Sequence, residues 1–227
     1  MISDLIISFR MVLRFSYREQ TVSLLIIIIC IGLFLFFPVD RESFSQSILG
    51  LLSFLVLLPV LYITIILKKS LSTLEMRLPD YSLKLLWASA VALCAGILIA
   101  FTLYSLPFND FYVEKIAIVF SNFKAFSLYH LIYIFPILLI ISFFSFNFLQ
   151  ALPFSRLQKT TLGSVIFSSM SILVFDLPLI SVLLPLLPYL ILHFFSQANF
   201  LTIVITSFVS LISFNALIAK LILNPAL

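Results

Sequence analysis

From Thr161 to Leu227 the sequence runs through 67 residues with only two formally charged side chains, Asp176 and Lys220. A soluble chain of that length has to reach the surface repeatedly and carries charge where it does, so a stretch this apolar belongs in a lipid solvent. The remainder repeats the pattern. Of the 227 residues 63% are hydrophobic and 10% charged, against roughly half and a quarter in an average soluble domain. That leaves too little polar surface to coat a globule.

A hydrocarbon layer of roughly 30 Å takes about 20 apolar residues per helix. Segments of this kind lie at 21–38, 47–67, 85–106 and 127–150. The long C-terminal stretch divides at Asp176-Leu-Pro178 and at Ser196-Gln-Ala-Asn199 into 161–176, 178–195 and 199–223, with further break signals at Pro185 and Pro188. The expected fold is therefore all-α, a polytopic transmembrane helical bundle of about seven spans. Six or eight result if the Pro-rich middle forms a re-entrant or broken helix.

Lys and Arg in short loops set orientation. One side receives nine of them, Arg10, Arg14, Arg18, Lys68, Lys69, Arg77, Lys84, Arg156 and Lys159, with Asp4, Glu19, Glu75 and Asp80 as its acids. The other side receives four, Arg41, Lys115, Lys124 and Lys220, with Asp40, Glu42, Asp110, Glu114 and Asp176. The expected N-terminus is cytoplasmic and the localisation a cell (inner) membrane, crossed several times. Residues 1–20 form a separate unit in this reading. No small-residue cleavage site follows the first apolar run, so it reads as an anchor rather than a cleaved signal. Before it, Leu5, Phe9, Val12 and Phe15 fall near one helical face and Arg10, Arg14 and Arg18 on another. That pattern fits an interfacial helix against anionic headgroups, and equally a basic flank obeying the positive-inside rule. Residues 21–227 then make a single transmembrane domain.

The composition excludes several function classes. Four glycines allow neither a Walker motif nor a dinucleotide fingerprint, so any ATP hydrolysis belongs to another chain. Two cysteines, Cys30 and Cys94, both in apolar segments, and two histidines make no zinc cluster, so no metal and no cofactor is expected. The net charge of +4 is scattered between apolar spans without a basic stripe, which argues against nucleic acid.

Polar side chains at lipid depth are the remaining candidates. Asn147 and Gln150 lie three apart near the cytoplasmic end of the fourth span, on one helical face, as a pocket or a clamp between helices. Asp176 reads as a turn residue at the outer end of its helix or as a buried ligand or proton site. His130 falls near the outer surface and His193 near the inner one, too far apart to act together. Asn215 and Lys220 sit in the last span, with Lys220 placed to snorkel. The candidates for ligand or helix-interface contact are thus Asn147, Gln150, Asp176, His193 and Asn215. Those for membrane-surface or partner contact are Arg10, Arg14, Arg18, Lys68, Lys69 and Arg77. Serines crowd the C-terminal half. Ser164, Ser168 and Ser171 mark one face by their spacing of four then three, the signature of close helix packing rather than of a nucleophile, since no base follows from the spacing.

The order of features from Leu74 onward resembles the CAAX-protease and bacteriocin-processing family, the intramembrane glutamic proteases also called the Abi family. Leu74-Glu-Met-Arg-Leu-Pro-Asp80 with Leu83-Lys-Leu-Leu-Trp87 is similar to the loop and helix start before that family's core. Ser145-Phe-Asn-Phe-Leu-Gln150, the basic Arg156-Leu-Gln-Lys159 with Gly163, and Ser168 to Asp176 follow in the order of its first two motifs, and Asn199-Phe-Leu resembles the approach to the third. The likeness covers about residues 70 to 215. The family's first motif has two adjacent glutamates and an arginine four positions beyond the second; here those positions hold Ser145, Phe146 and Gln150. Its second has Phe and, four later, His, matched by Ile172 and Asp176; its third has His then Asn, where Ser207 stands with Ser210 or Leu211. The resemblance therefore implies a degenerate member without the water-activating carboxylate, a pseudoenzyme. The expected function is that of a non-catalytic multi-span subunit or binding partner in a membrane protein complex. The alternatives are a permease-like transporter subunit working with a separate cytoplasmic ATPase, and an unusual intramembrane protease using Asp176.

Overall fold

The structure is a computed structural model and describes residues 2–36, 44–74, 83–104, 123–175, 177, 179–195 and 198–223. Among these there are helices and turns and no strand. Helix α1 is Ile2–Phe36. Helix α2 covers 44–66, beginning as Phe44–Leu52, widening at Ser53–Leu57, tightening over Leu58–Leu61 and widening again at Tyr62–Ile66. Helix α3 is Leu83–Tyr104. Helix α4 covers 123–151 and alternates in the same way, with wide turns at Tyr129–Ile134 and Phe143–Phe148. Helices α5, Arg156–Phe175, α6, Leu183–Phe194, and α7, Phe200–Leu223, complete the bundle.

Five of these helices are long and apolar enough to cross a membrane: Arg18–Phe36, Ser45–Ile66, Leu83–Leu103, Lys124–Ala151 and Phe200–Lys220. Each covers one of the segments 21–38, 47–67, 85–106, 127–150 and 199–223 closely. The other two differ from the sequence expectation. α5 starts five residues early, because the polar run Arg156 to Thr160 is helical as well, and that lowers its mean hydropathy. The expected span 178–195 becomes a 3-10 turn, Leu179–Val182, running into a helix of only 12 residues. Pro185 and Pro188 are both buried in that helix, and Pro188 inside it removes a backbone N–H and crowds the preceding turn. α1 likewise runs without a break from the basic N-terminal segment into the first apolar span. At 35 residues it is about 52 Å long, well beyond the thickness of a hydrocarbon core.

Two of the wide turns have a local cause. Pro59 follows Ser53–Leu57 and Pro136 follows Tyr129–Ile134. A proline ring collides with the carbonyl four residues back, Leu55 and Ile132 here, and one extra residue per turn moves that carbonyl aside. The chain thus keeps two membrane-length helices through prolines that would otherwise kink them.

α4 is the central helix and packs against α2, α5 and α7, while α6 lies among α3, α5 and α7. α1 rests on α2 at one edge, and α3 closes the other edge against α6 and α7. Burial follows this order: 61% of the spanning part of α4 is buried, against 22% of that of α1. The outer faces carry Ile28, Trp87, Leu98 and Phe101, all exposed, whereas Ser23, His130, Ser145, Asn147 and Asn215 are buried. Apolar outside with polar inside is the distribution a lipid solvent favours. Two glycines set how closely helices approach. A Cβ on Gly163 of α5 would stand 2.6 Å from the Ser145 carbonyl of α4 and against the Tyr189 hydroxyl of α6. One on Gly96 of α3 would stand 2.8 Å from Ser210 Cβ of α7 and 3.6 Å from Pro188 of α6.

Candidate functional site

The polar side chains gather at the two ends of the bundle, and the larger group surrounds the end of α4. The last carbonyls of a helix have no partner within it. Here Gln150 O accepts from Lys159 Nζ at 2.7 Å, Ala151 O from Lys69 Nζ at 2.6 Å, and Pro153 O from Gln20 Nε2 at 2.9 Å. Three separate segments therefore close one helix end, and the two ammonium groups complement the negative end of its dipole. One turn earlier Asn147 Nδ2 donates to Leu74 O at 2.6 Å, tying α4 to the segment after α2.

Local rules place each of these donors. Lys68 adopts the left-handed conformation, φ 51°, and Lys69 N–H turns back to Ile63 O at 3.0 Å, so α2 ends in a tight reversal that directs Lys69 to α4. α5 begins with a reciprocal cap: Ser155 N–H donates to Gln158 Oε1 at 2.9 Å and Gln158 N–H to Ser155 Oγ at 3.3 Å. That cap sets Lys159 one turn in. Burial, and secondarily the charge of Lys69, hold the Lys159 ammonium below the usual lysine range.

His193 of α6 reaches the same end. Thr160 gives its proton to Arg156 O at 3.1 Å, so His193 Nδ1–H donates to Thr160 Oγ1 at 3.2 Å. The imidazole stacks on Tyr189 with ring centroids 4.7 Å apart and lies 5.8 Å from Phe146. Its Nε2 is buried without a hydrogen-bond partner among the described residues. Tyr189 itself donates to Ser145 O at 3.0 Å. In a regular turn Ser145 O would receive Leu149 N–H, but within the widened stretch Leu149 N–H goes to Phe146 O. The irregular turn frees an acceptor that a second helix uses.

At the other end His130 Nδ1 donates to Phe126 O at 2.8 Å, which leaves Nε2 to accept from Asn215 Nδ2 at 3.0 Å. Both residues are buried, and the pair ties α4 to α7. Twenty residues of helix, roughly 30 Å, separate His130 from Gln150 along α4. The two histidines thus serve different helix pairs.

Of the residues singled out by sequence, Asn147, Gln150, Lys69 and His193 come together at one end, Gln150 through its carbonyl, and Asn215 lies at the other. Lys68 and Arg18 are exposed at the first end. Asp176, Arg77 and the side chains of Arg10 and Arg14 lie outside the described residues. Of the positions matched to the protease motifs, Ser145, Ser207, Ser210 and Leu211 are buried and Phe146, Gln150 and Ile172 half-buried, while Asp176 lies outside the described residues. Ser145 Oγ and Ser207 Oγ have no hydrogen-bond partner among the described residues. Among the described residues no three His, Cys, Asp or Glu side chains are grouped to hold a metal. Cys30 is buried and Cys94 exposed, both as free thiols.

Sequence reasoning missed Tyr189, Thr160 and Gln20. Tyr189 had a signal, because it stands four residues before His193 and shares its helix face. Thr160 and Gln20 had none, since their partners are distant in the chain. No family model, curated protein or solved structure matches this chain, so its chemistry is read from these contacts alone.

Proposed function

We propose that this chain is a non-catalytic, multi-span protein of a cell (inner) membrane that works as a subunit or binding partner in a membrane protein complex. One observation carries the reading. Seven polar side chains inside the bundle tie separate segments together, Lys69, Lys159, Gln20, Asn147 and Tyr189 by donating to distant backbone carbonyls and His130 and Asn215 by bonding each other. Among the described residues no two carboxylates pair, and the Thr160 hydroxyl beside His193 gives its proton to Arg156 O rather than to the imidazole, so the arrangements that acid–base or covalent catalysis needs are not formed there. What these residues do is hold helices in register.

Seven spans follow if α5, about 30 Å long, and the 3-10 turn plus α6, about 26 Å together, join the five longer helices. Tilt and local thinning of the bilayer absorb the shortfall of a few ångströms. The excess of Lys and Arg on the side of Lys69 and Lys159 makes that side, with the N-terminus, cytoplasmic. The resemblance to the intramembrane glutamic proteases fits the same function, as a degenerate member whose motif positions have become Ser145, Phe146, Gln150, Ile172 and Asp176. The exposed apolar faces of α1 and α3, at opposite edges of the bundle, offer surface to a partner helix as well as to lipid.

Purification of the full chain from membranes in a mild detergent tests this. A stoichiometric membrane partner is expected, retained by an Asp176→Asn variant. An isolated, monodisperse monomer overturns the proposal. A cytoplasmic ATPase among the partners replaces it with a permease-like role, and loss of activity in Asp176→Asn at normal expression replaces it with chemistry at that carboxylate.

A further inference from the structure

α1 and α2 meet at one edge of the bundle without closing on each other. Ser23 Oγ and the Tyr62 hydroxyl share a hydrogen bond across the seam at 3.2 Å, and both residues are buried. Beside that bond lies a cavity of about 170 Å³, lined by three side chains of α1 and five of α2. Cys30 and Tyr62, 1% and 3% exposed, form its inner wall, and Ile29, Leu61, Ile65 and Ile66, all exposed, stand at its mouth. The cavity therefore opens onto the outer apolar surface of the bundle, along the span with the least burial of the five, 22%.

The chemistry and shape of the cavity select its occupant. A water molecule held in a cavity needs about two to four polar partners. Here the Ser23 and Tyr62 hydroxyls engage each other, and the remaining polar group of the lining, the Cys30 thiol, is a weak donor and acceptor. A whole partner helix, roughly 10 Å across with its side chains, is too wide to enter. A cavity of about 150 Å³ with aliphatic walls accepts benzene, so this one takes about six carbons of hydrocarbon. Its place in the bundle is as specific. The α2 wall runs from Leu58 to Ile66, about 12 Å of helix, and ends two residues before Lys68. Lys68 and Lys69 are exposed and mark the polar edge of the layer. From that edge the cavity reaches most of the way to the middle of a hydrocarbon core of roughly 30 Å, the course of a lipid tail in the leaflet on that side. We propose that the cavity between α1 and α2 is a site for one acyl chain of a membrane phospholipid, seated against Cys30 and Tyr62. The chain exchanges one hydrocarbon surrounding for another, so it is held by van der Waals contact rather than by the hydrophobic effect. It supplies packing to the least buried of the five long spans. The site takes only its membrane setting from the function proposed above.

The test reconstitutes the full chain in phosphatidylcholine liposomes containing a phosphatidylcholine with a diazirine on one acyl chain, and maps the photolabelled residues by mass spectrometry. The outward face of α3 at Leu86, Trp87 and Val91, as exposed as the mouth of the cavity, is the reference for lipid contact without a cavity wall. Labelling at Cys30 and along Leu58 to Ile66 is expected to exceed that reference about threefold, the size that a few additional van der Waals contacts allow. Ile29→Trp fills the cavity from α1 and should bring the α2 wall down to the level of α3. Leu61→Phe does the same from α2 and serves if the first variant does not fold. Equal labelling of the two surfaces in the wild type overturns the site. An excess that survives filling overturns it as well, because the label then lies outside the cavity. In native membranes, Ile66→p-benzoylphenylalanine is expected to capture lipid on irradiation; capture of a second copy or of another protein in its place overturns the lipid occupant in favour of a protein side chain. The liposomes contain no partner, so their result stands whether the function proposed above holds or fails.

Discussion

Gly163, Ser145 and Tyr189 meet where α4, α5 and α6 come closest. The absence of a side chain on α5 lets the Tyr189 hydroxyl reach the Ser145 carbonyl at 3.0 Å. A methyl group on Gly163 would lie 2.6 Å from that carbonyl oxygen, which is backbone and cannot swing away as a side chain would. Gly163→Ala is therefore expected to lower stability by about 1–3 kcal/mol. Gly32 of α1 is the matched control, because a Cβ there meets nothing within 4 Å. Gly32→Ala should be neutral or stabilising, up to about 1 kcal/mol, since alanine is the better helix former. Thermal unfolding of both variants in detergent checks this. Equal effects would mean that close approach at Gly163 does not hold the three helices together.

Among the elements, α5 joins the bundle through a face of small residues. Ser164, Ser168 and Ser171 are all buried, and each hydroxyl bonds a carbonyl of its own helix, Thr161 O, Ser164 O and Phe167 O. The spacing of four then three indicates the packed face but says nothing about where the protons go. Because the hydroxyls are satisfied within α5, they contribute shape to the interface rather than bonds across it. Ser168→Ala is expected to change stability by less than about 0.5 kcal/mol, whereas Ser168→Leu should cost about 1–3 kcal/mol through overpacking. A large loss in Ser168→Ala, measured by the same unfolding, would assign the hydroxyl a bond across the interface. α2 and α4 teach a different lesson. Pro59 and Pro136 lie within the expected spans 47–67 and 127–150, and both helices continue through them by widening a turn.

For the molecule as a whole, the contacts sort the chain by end. Gln20, Lys69, Leu74, Asn147, Pro153, Lys159 and His193 share one end, and His130 with Asn215 marks the other. This is the alternation expected of helices that cross a layer in turn. With Cys30 and Cys94 replaced by alanine, single cysteines at Lys68, Gln158 and Phe195 should resist an impermeant maleimide in intact cells and label in inverted vesicles. A cysteine at Lys124 should behave the opposite way. If the first three divide between the two sides, the alternation fails; if all four exchange behaviour, the bundle is inverted.

Length, hydropathy and the positions of charge are legible in the sequence, because each is a local property. A run of apolar residues long enough to cross a bilayer has to satisfy its own backbone and so becomes a helix, and Lys or Arg at its ends stay out of the lipid. The five long helices and the polar character of the end near Gln150 follow from that alone. What only the tertiary structure decided is which groups meet. The partners of Asn147, Lys69, Asn215 and Gln20 lie 73, 82, 85 and 133 residues away. Nothing in the spacing along one helix selects a carbonyl on another. That choice depends on how neighbouring helices dock, through the close approach at Gly163, the freed carbonyl at Ser145 and the left-handed turn at Lys68. A polar residue at lipid depth announces that it needs a partner, and packing names the partner.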